Sequence, residues 1–151
     1  MKKLLILGLL ALTGFKANAS ESTVWNKLVR SIYWSDGDSG RLSFYDGQTI
    51  KFRLDSVDAP ETGGVGAAIG GAKCEKEREL GFEVKEYMVE LTRNSEVRVA
   101  FNQGKDRYDQ HVVILTIDNE PIYTEALISG KLKWWPYTNG RADKPKPDWC
   151  S

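Results

Sequence analysis

The sequence predicts a small α+β domain, mainly β, from three observations. Two strand-like segments, residues 41–45 and 49–54, flank Asp46-Gly47, a dipeptide that accepts the positive backbone angles of a tight hairpin turn. One stretch, residues 75–91, sets Leu80, Val84, Tyr87, Met88 and Leu91 at helical spacing, with Glu and Lys covering the other face. Residues 97–101 and 108–117 then alternate as two further strands.

Taken in chain order, the elements begin after a leader. Lys2 and Lys3 form a positive n-region, residues 4–12 an apolar core too short to span a bilayer, and Ala17-Asn18-Ala19 a small-residue cleavage site. Residues 1–19 therefore read as a signal peptide cut after Ala19, which leaves residues 20–151 as a single exported domain, periplasmic or secreted. No later apolar run is long enough to cross a membrane, so no membrane association is expected once the leader is removed. Residues 24–34 mix β-branched and aromatic side chains with polar ones and complete a three-stranded meander with the hairpin. The glycine-rich stretch 63–71 reads as a mobile loop. A phosphate cradle is the sharper alternative, but its glycines match neither the dinucleotide fingerprint nor the P-loop pattern. Residues 122–128 form a short second helix ended by Gly130, and the Pro- and Lys-rich tail 134–151 runs over the surface.

Composition bounds the partners. The leader takes three lysines and no acid, so 21 basic residues fall to 18 against 21 acids, a formal charge of −3. A polyanion ligand would have to be met by a local cluster of cations rather than by overall charge. Cys74 and Cys150 are the only cysteines. In an exported chain they predict a disulfide holding the tail to the loop before the main helix, worth about 4 kcal/mol through the long loop it closes. Two free buried thiols are the alternative; a metal site needs more ligands than two distant thiols offer.

Chemistry concentrates between Asp36 and Glu61, where Asp36-Gly37-Asp38-Ser39 is followed by Phe52-Arg53-Leu54-Asp55-Ser56-Val57-Asp58-Ala59-Pro60-Glu61. Two carboxylates can hold a hard divalent cation, a guanidinium can clamp a phosphate, and a further carboxylate can take a proton from water. Taken singly, each residue also has a structural reading: Asp36 and Asp38 as strand terminators, Glu61 as an exposed loop carboxylate. His111, the lone histidine, has no evident partner for a dyad and reads as a packing or surface residue. Trp134, Trp135 and Tyr137 suit either stacking on bases or covering the domain.

The conjunction of these segments, with Asp106-Arg107-Tyr108 ahead of a strand and Glu125-Ala126-Leu127-Ile128 before Gly130, resembles the staphylococcal nuclease (thermonuclease) family over about residues 24–137, with 138–151 as a C-terminal tail. The resemblance implies a five-stranded OB-fold barrel with one main helix between the third and fourth strands and a short second helix. It also implies one calcium ion, held by Asp38, Asp58 and the backbone carbonyl of Ala59. Glu61 would be the general base, Arg53 the ligand of the scissile phosphate, and Arg107 and Tyr108 substrate-binding residues, Tyr108 being alternatively a packed core tyrosine. Single-stranded DNA or RNA is the implied partner, and a monomer the implied state. The pattern departs at Gln110, which stands where the family has its second catalytic arginine. Glutamine keeps a hydrogen bond but not the charge, and such an arginine is typically worth roughly 10³–10⁵ in rate. Two functions follow as expectations: a calcium-dependent nuclease of reduced activity, or a nucleic-acid or phosphate-ligand binding module on the same barrel.

Overall fold

The computed structural model describes residues 23–139 and 141–151; the signal peptide expected at 1–19 lies outside the described residues. Five strands form its centre: β1 (Thr23–Trp34), β2 (Ser39–Phe44), β3 (Thr49–Leu54), and, after two intervening elements, β5 (Arg98–Lys105) and β6 (His111–Ile117). Between β3 and β5 come the two-residue strand β4 (Val57–Asp58) and helix α1 (Glu75–Thr92). The sheet runs β3-β2-β1-β5-β6, and a parallel pairing of β3 with β6 closes it into a barrel. The architecture is a closed, mixed five-stranded barrel of OB-like α+β class, in agreement with the fold expected from the sequence.

Closure has local causes. The twelve-residue β1 must serve both β2 and β5, and it breaks register between Val24 and Lys27 and again between Val29 and Ser31. Such bulges bend a strand and increase its twist, which is what curls a sheet onto itself. Alternating side chains Leu42, Phe44, Ile50, Phe52, Leu54, Val99, Val113 and Leu115 are buried in one core, joined by Val84 and Met88 of α1. The helix crosses close to the barrel. A Cβ on Gly37 would fall 2.4 Å from Val84 Cγ1, and one on Gly81 the same distance from the carbonyl oxygen of Glu61.

The hairpin expected at Asp46-Gly47 joins β2 to β3, with Gly47 at φ +87°. The strand expected from residue 108 begins instead at His111. Asp106 Oδ1 accepts the N–H groups of Tyr108 and Gln110, and Asp109 sits at φ +62°, so residues 106–110 turn before pairing starts. The glycine-rich loop is tied to itself through Gly63 N–H to Gly70 O (3.0 Å) and Gly66 N–H to Ala72 O (2.9 Å). Downstream, β7 (Glu120–Pro121) turns back and pairs antiparallel with the end of β6, and the second helix, α2 (Thr124–Ile128), ends before Gly130 at φ +75°. The tail is more structured than its composition suggests: β8 (Lys133–Trp134) pairs with β4, and β9 (Tyr137–Thr138) with β10 (Arg141–Ala142). Cys74 and Cys150 form the expected disulfide, Cα atoms 6.1 Å apart, so the free-thiol alternative falls. Among the described residues no helix is long and apolar enough to cross a membrane.

Candidate active site

The turn from β1 to β2 is organised by Asp36. Its Oδ1 accepts the N–H of Asp38 at 3.0 Å, the N–H of Ser39 at 2.8 Å and the Ser39 hydroxyl at 2.9 Å. This is a short carboxylate closing its own turn, and burial together with the neighbouring Asp38 charge raises its pKa well above the usual range. The turn fixes Asp38, whose carbonyl accepts Leu54 N–H at 2.7 Å from the end of β3. Asp38 is itself buried, and its Oδ2 accepts the N–H of Ala59 at 2.8 Å, a bond across 21 positions of sequence.

That bond draws Asp38 beside Asp58, which is 1% exposed. Asp58 Oδ2 accepts the indole N–H of Trp149 at 2.7 Å, while Oδ1 is buried with no hydrogen-bond partner. Burial, then the charge of Asp38, push the Asp58 pKa up to about 7; the Trp149 hydrogen bond and the charges of Lys146 and Arg53 act in the opposite direction. An unpartnered buried carboxylate oxygen is costly unless something fills its lone pairs. Lys146 Nζ stands 3.9 Å from it and forms an ion pair with Glu61 Oε1. Burial alone would lower the Lys146 pKa; the hydrogen bond to Glu61 and the charges of Asp58, Glu61 and Asp38 outweigh it, so the pKa is raised and the ammonium stays charged.

Glu61 is set by α1. Its N–H donates to Glu77 Oε1 at 3.4 Å, and Glu77 Oε2 accepts the N–H of Lys73 at 2.6 Å, so one buried carboxylate in the first helical turn holds both ends of the glycine-rich loop. Arg53 comes from β3. Its guanidinium donates to Val57 O at 3.1 Å and lies 4.9 Å and 4.7 Å from the ring centroids of Trp135 and Tyr137, which meet edge to face at 5.0 Å. Burial opposes its charge, but Asp38, Tyr137, Asp58 and Asp36 together raise its pKa, and its Nε is buried without a partner. Trp135 and Tyr137 brace the arginine, a cation–π arrangement that keeps a planar fork in place. Trp134 stands apart and is 58% exposed.

Asp38, Asp58, Ala59, Glu61 and Arg53 are thus brought together at one end of the barrel. Gln110, Arg107 and Tyr108 are not joined to them by any hydrogen bond or ion pair among the described residues. Gln110 lies in the turn before β6, its N–H on Asp106. Tyr108 is 60% exposed with the Arg107 guanidinium 4.8 Å from its ring centroid, which removes the packed-core reading of that tyrosine. Asp109, beside Gln110, is paired with Lys105 at 3.0 Å. His111 Nδ1 shares a 2.9 Å hydrogen bond with the Asn102 amide and its ring lies 5.8 Å from Trp25, a packing role; burial lowers its pKa.

Sequence reasoning missed Lys146, Trp149 and Glu77. A signal for the first two existed. Once Cys150 is bonded to Cys74, residues just before Cys150 must lie near the start of α1, and the loop leading to α1 begins at Glu61. Glu77 carried no signal, since an acid in a first helical turn is ordinary.

For a hard cation the side-chain donors here would be carboxylate oxygens: Asp58 Oδ1, which has no hydrogen-bond partner but lies 3.9 Å from Lys146 Nζ, and Asp38. No group of three His, Cys, Asp or Glu side chains among the described residues is arranged to hold a metal ion. A separate hollow of about 280 Å³, lined by Val29, Ile32, Trp34, Val89 and Val97 among others, contains none of these residues. No family model matches the chain, and no curated protein matches it either.

Proposed function

We propose that the chain is an exported, divalent-cation-dependent phosphodiesterase of the thermonuclease kind, acting on exposed single-stranded DNA or RNA. The observation that carries this reading is that two buried atoms of neighbouring residues, Asp58 Oδ1 and Arg53 Nε, have no hydrogen-bond partner, Oδ1 having only the Lys146 ammonium at 3.9 Å. One asks for a cation and the other for an anion, and a metal-bound phosphate supplies both. Asp38, Asp58 and the Ala59 carbonyl would hold calcium, which when bound neutralises a phosphoryl oxygen and orients the phosphate. Arg53, held by Trp135 and Tyr137, meets the same phosphate without having to order its side chain during the reaction. Glu61 takes a proton from water as the water oxygen bonds to phosphorus. The P–O ester bond breaks on the opposite side, and the leaving oxygen takes its proton from solvent. Export accords with the disulfide and with the leader read at 1–19.

A binding module that has lost turnover is the second reading. It is favoured by the absence of charge at Gln110 and by the engagement of Glu61 with Lys146. Calorimetric titration with calcium tests the cation site that both readings share. Asp38→Ala and Asp58→Ala are each expected to weaken binding at least tenfold while leaving the thermal transition cooperative. Unchanged calcium binding in both variants would remove the site.

A further inference from the structure

The C-terminal strap, residues 144–151, is held at many points for so short a segment. Trp135 Nε1 donates to Lys144 O at 2.7 Å, Lys133 Nζ donates to Asp148 O at 2.5 Å and lies 4.3 Å from the Trp149 ring centroid, and Lys76 Nζ donates to Ser151 O at 2.7 Å. The disulfide from Cys150 to Cys74 fastens its end to the start of α1. Two side chains of the strap turn inward: Trp149 onto Asp58, and Lys146 between Asp58 and Glu61. The charges of Lys146 and Arg53 both act on Asp58. Arg107 and Arg41, the other arginines near the sequence motifs, are exposed and form no ion pair with this cluster among the described residues.

We infer that Lys146 is the second phosphate-neutralising cation of the site, a catalytic residue delivered by the stapled strap, and that Trp149 is a positioning residue for Asp58. This inference rests on the phosphodiesterase reading. The chemistry asks for it: charge spread over the phosphoryl oxygens during hydrolysis is met best by fixed cations on more than one side, and Gln110 offers none. An ammonium with three donors can remain bonded to Glu61 while a second N–H reaches an entering phosphoryl oxygen. By occupying Asp58 Oδ2, the Trp149 indole leaves Oδ1 as the oxygen that faces the cluster, so it sets the orientation of a metal ligand without touching substrate.

The test uses the full mature chain with its disulfide intact and compares Lys146→Ala, Lys146→Arg and Trp149→Phe with the parent. With calcium saturating, Lys146→Ala should lower kcat on a single-stranded oligonucleotide by roughly 10²–10³-fold, with a smaller change in KM and no loss of calcium affinity. Lys146→Arg, which keeps the charge, should recover most of that loss. Trp149→Phe should instead weaken calcium binding. A phosphorothioate oligonucleotide supplies a readout that does not depend on turnover: loss of one phosphate contact should reduce the slope of log K against log salt by about 0.7. A parent that does not cleave, but loses that slope in Lys146→Ala, contradicts the nuclease reading while upholding the Lys146 contact. Lys146→Ala cleaving as fast as the parent or faster, with calcium bound more tightly, would overturn the inference and make the ammonium an internal occupant of the cation site.

Discussion

Asp58 is held at odds with its charge: it is buried beside Asp38, one oxygen has no hydrogen-bond partner, and burial and the Asp38 charge push its pKa up to about 7 against an ordinary 3.8. An acid whose folded pKa lies above its unfolded value binds its proton more tightly in the folded state. The stability attached to it is therefore full below pH 3.8 and is lost as the pH rises to about 7. In chelator, the parent should become less stable relative to Asp58→Asn across that window, since asparagine has no charge to bury. Denaturant unfolding at a series of pH values checks this, and a gap between the two that does not change with pH would show that Asp58 titrates normally. Asp38, Arg53, Asp58 and Glu61 were legible in the sequence because they fall in one short stretch whose residue types match one chemistry. Lys146 and Trp149 were not, because 85 and 91 positions separate them from Glu61 and Asp58, and only the folded strap brings them back.

Helix α1 does more than cover the core. Its Glu77 fixes the Glu61 backbone, and Gly81 lets the helix approach so closely that a methyl group there would collide with the Glu61 carbonyl. Gly81→Ala improves helix propensity, which by itself would stabilise by about 1 kcal/mol. The collision is with backbone rather than a flexible side chain, so overpacking should dominate, with a net loss of about 1–3 kcal/mol and displacement of Glu61. Thermal unfolding and kcat should both fall in this variant; a gain in stability would mean that the helix is free to shift. The helix was readable from its apolar spacing and was found at Glu75–Thr92. The strand expected from residue 108 was misplaced because Tyr108 is a strand-favouring aromatic just ahead of the β-branched run of β6, whereas the Asp106 turn that delays pairing depends on side-chain hydrogen bonds that the sequence pattern does not register.

At the scale of the molecule, one disulfide couples stability to the site. It joins residues 76 positions apart, so reduction should lower stability by about 2–5 kcal/mol. Because the same bond fastens the strap that carries Lys146 and Trp149, mild reduction or Cys150→Ser should also lower calcium affinity and turnover under conditions where the barrel remains folded by circular dichroism. A reduced, folded protein with unchanged calcium binding would separate the strap from the site. The hairpin, the helix and the disulfide were legible from turn, helical and cysteine signals, and the barrel was expected only from the family resemblance, whereas the short strands of the tail were hidden by a composition that reads as loop. Residues 20–151 carry a formal charge of −3, so on the proposed function any attraction for nucleic acid is local to the cations at this one end. The central claim, that the carboxylate cluster hydrolyses phosphodiester bonds, is met most directly by single-turnover digestion of single-stranded DNA with the purified mature protein, in calcium and in chelator, alongside Glu61→Gln. The account predicts cleavage in calcium, none in chelator, and a loss of roughly 10²–10⁴-fold in the variant. Absence of calcium-dependent cleavage by the parent, or undiminished cleavage by Glu61→Gln, would contradict it.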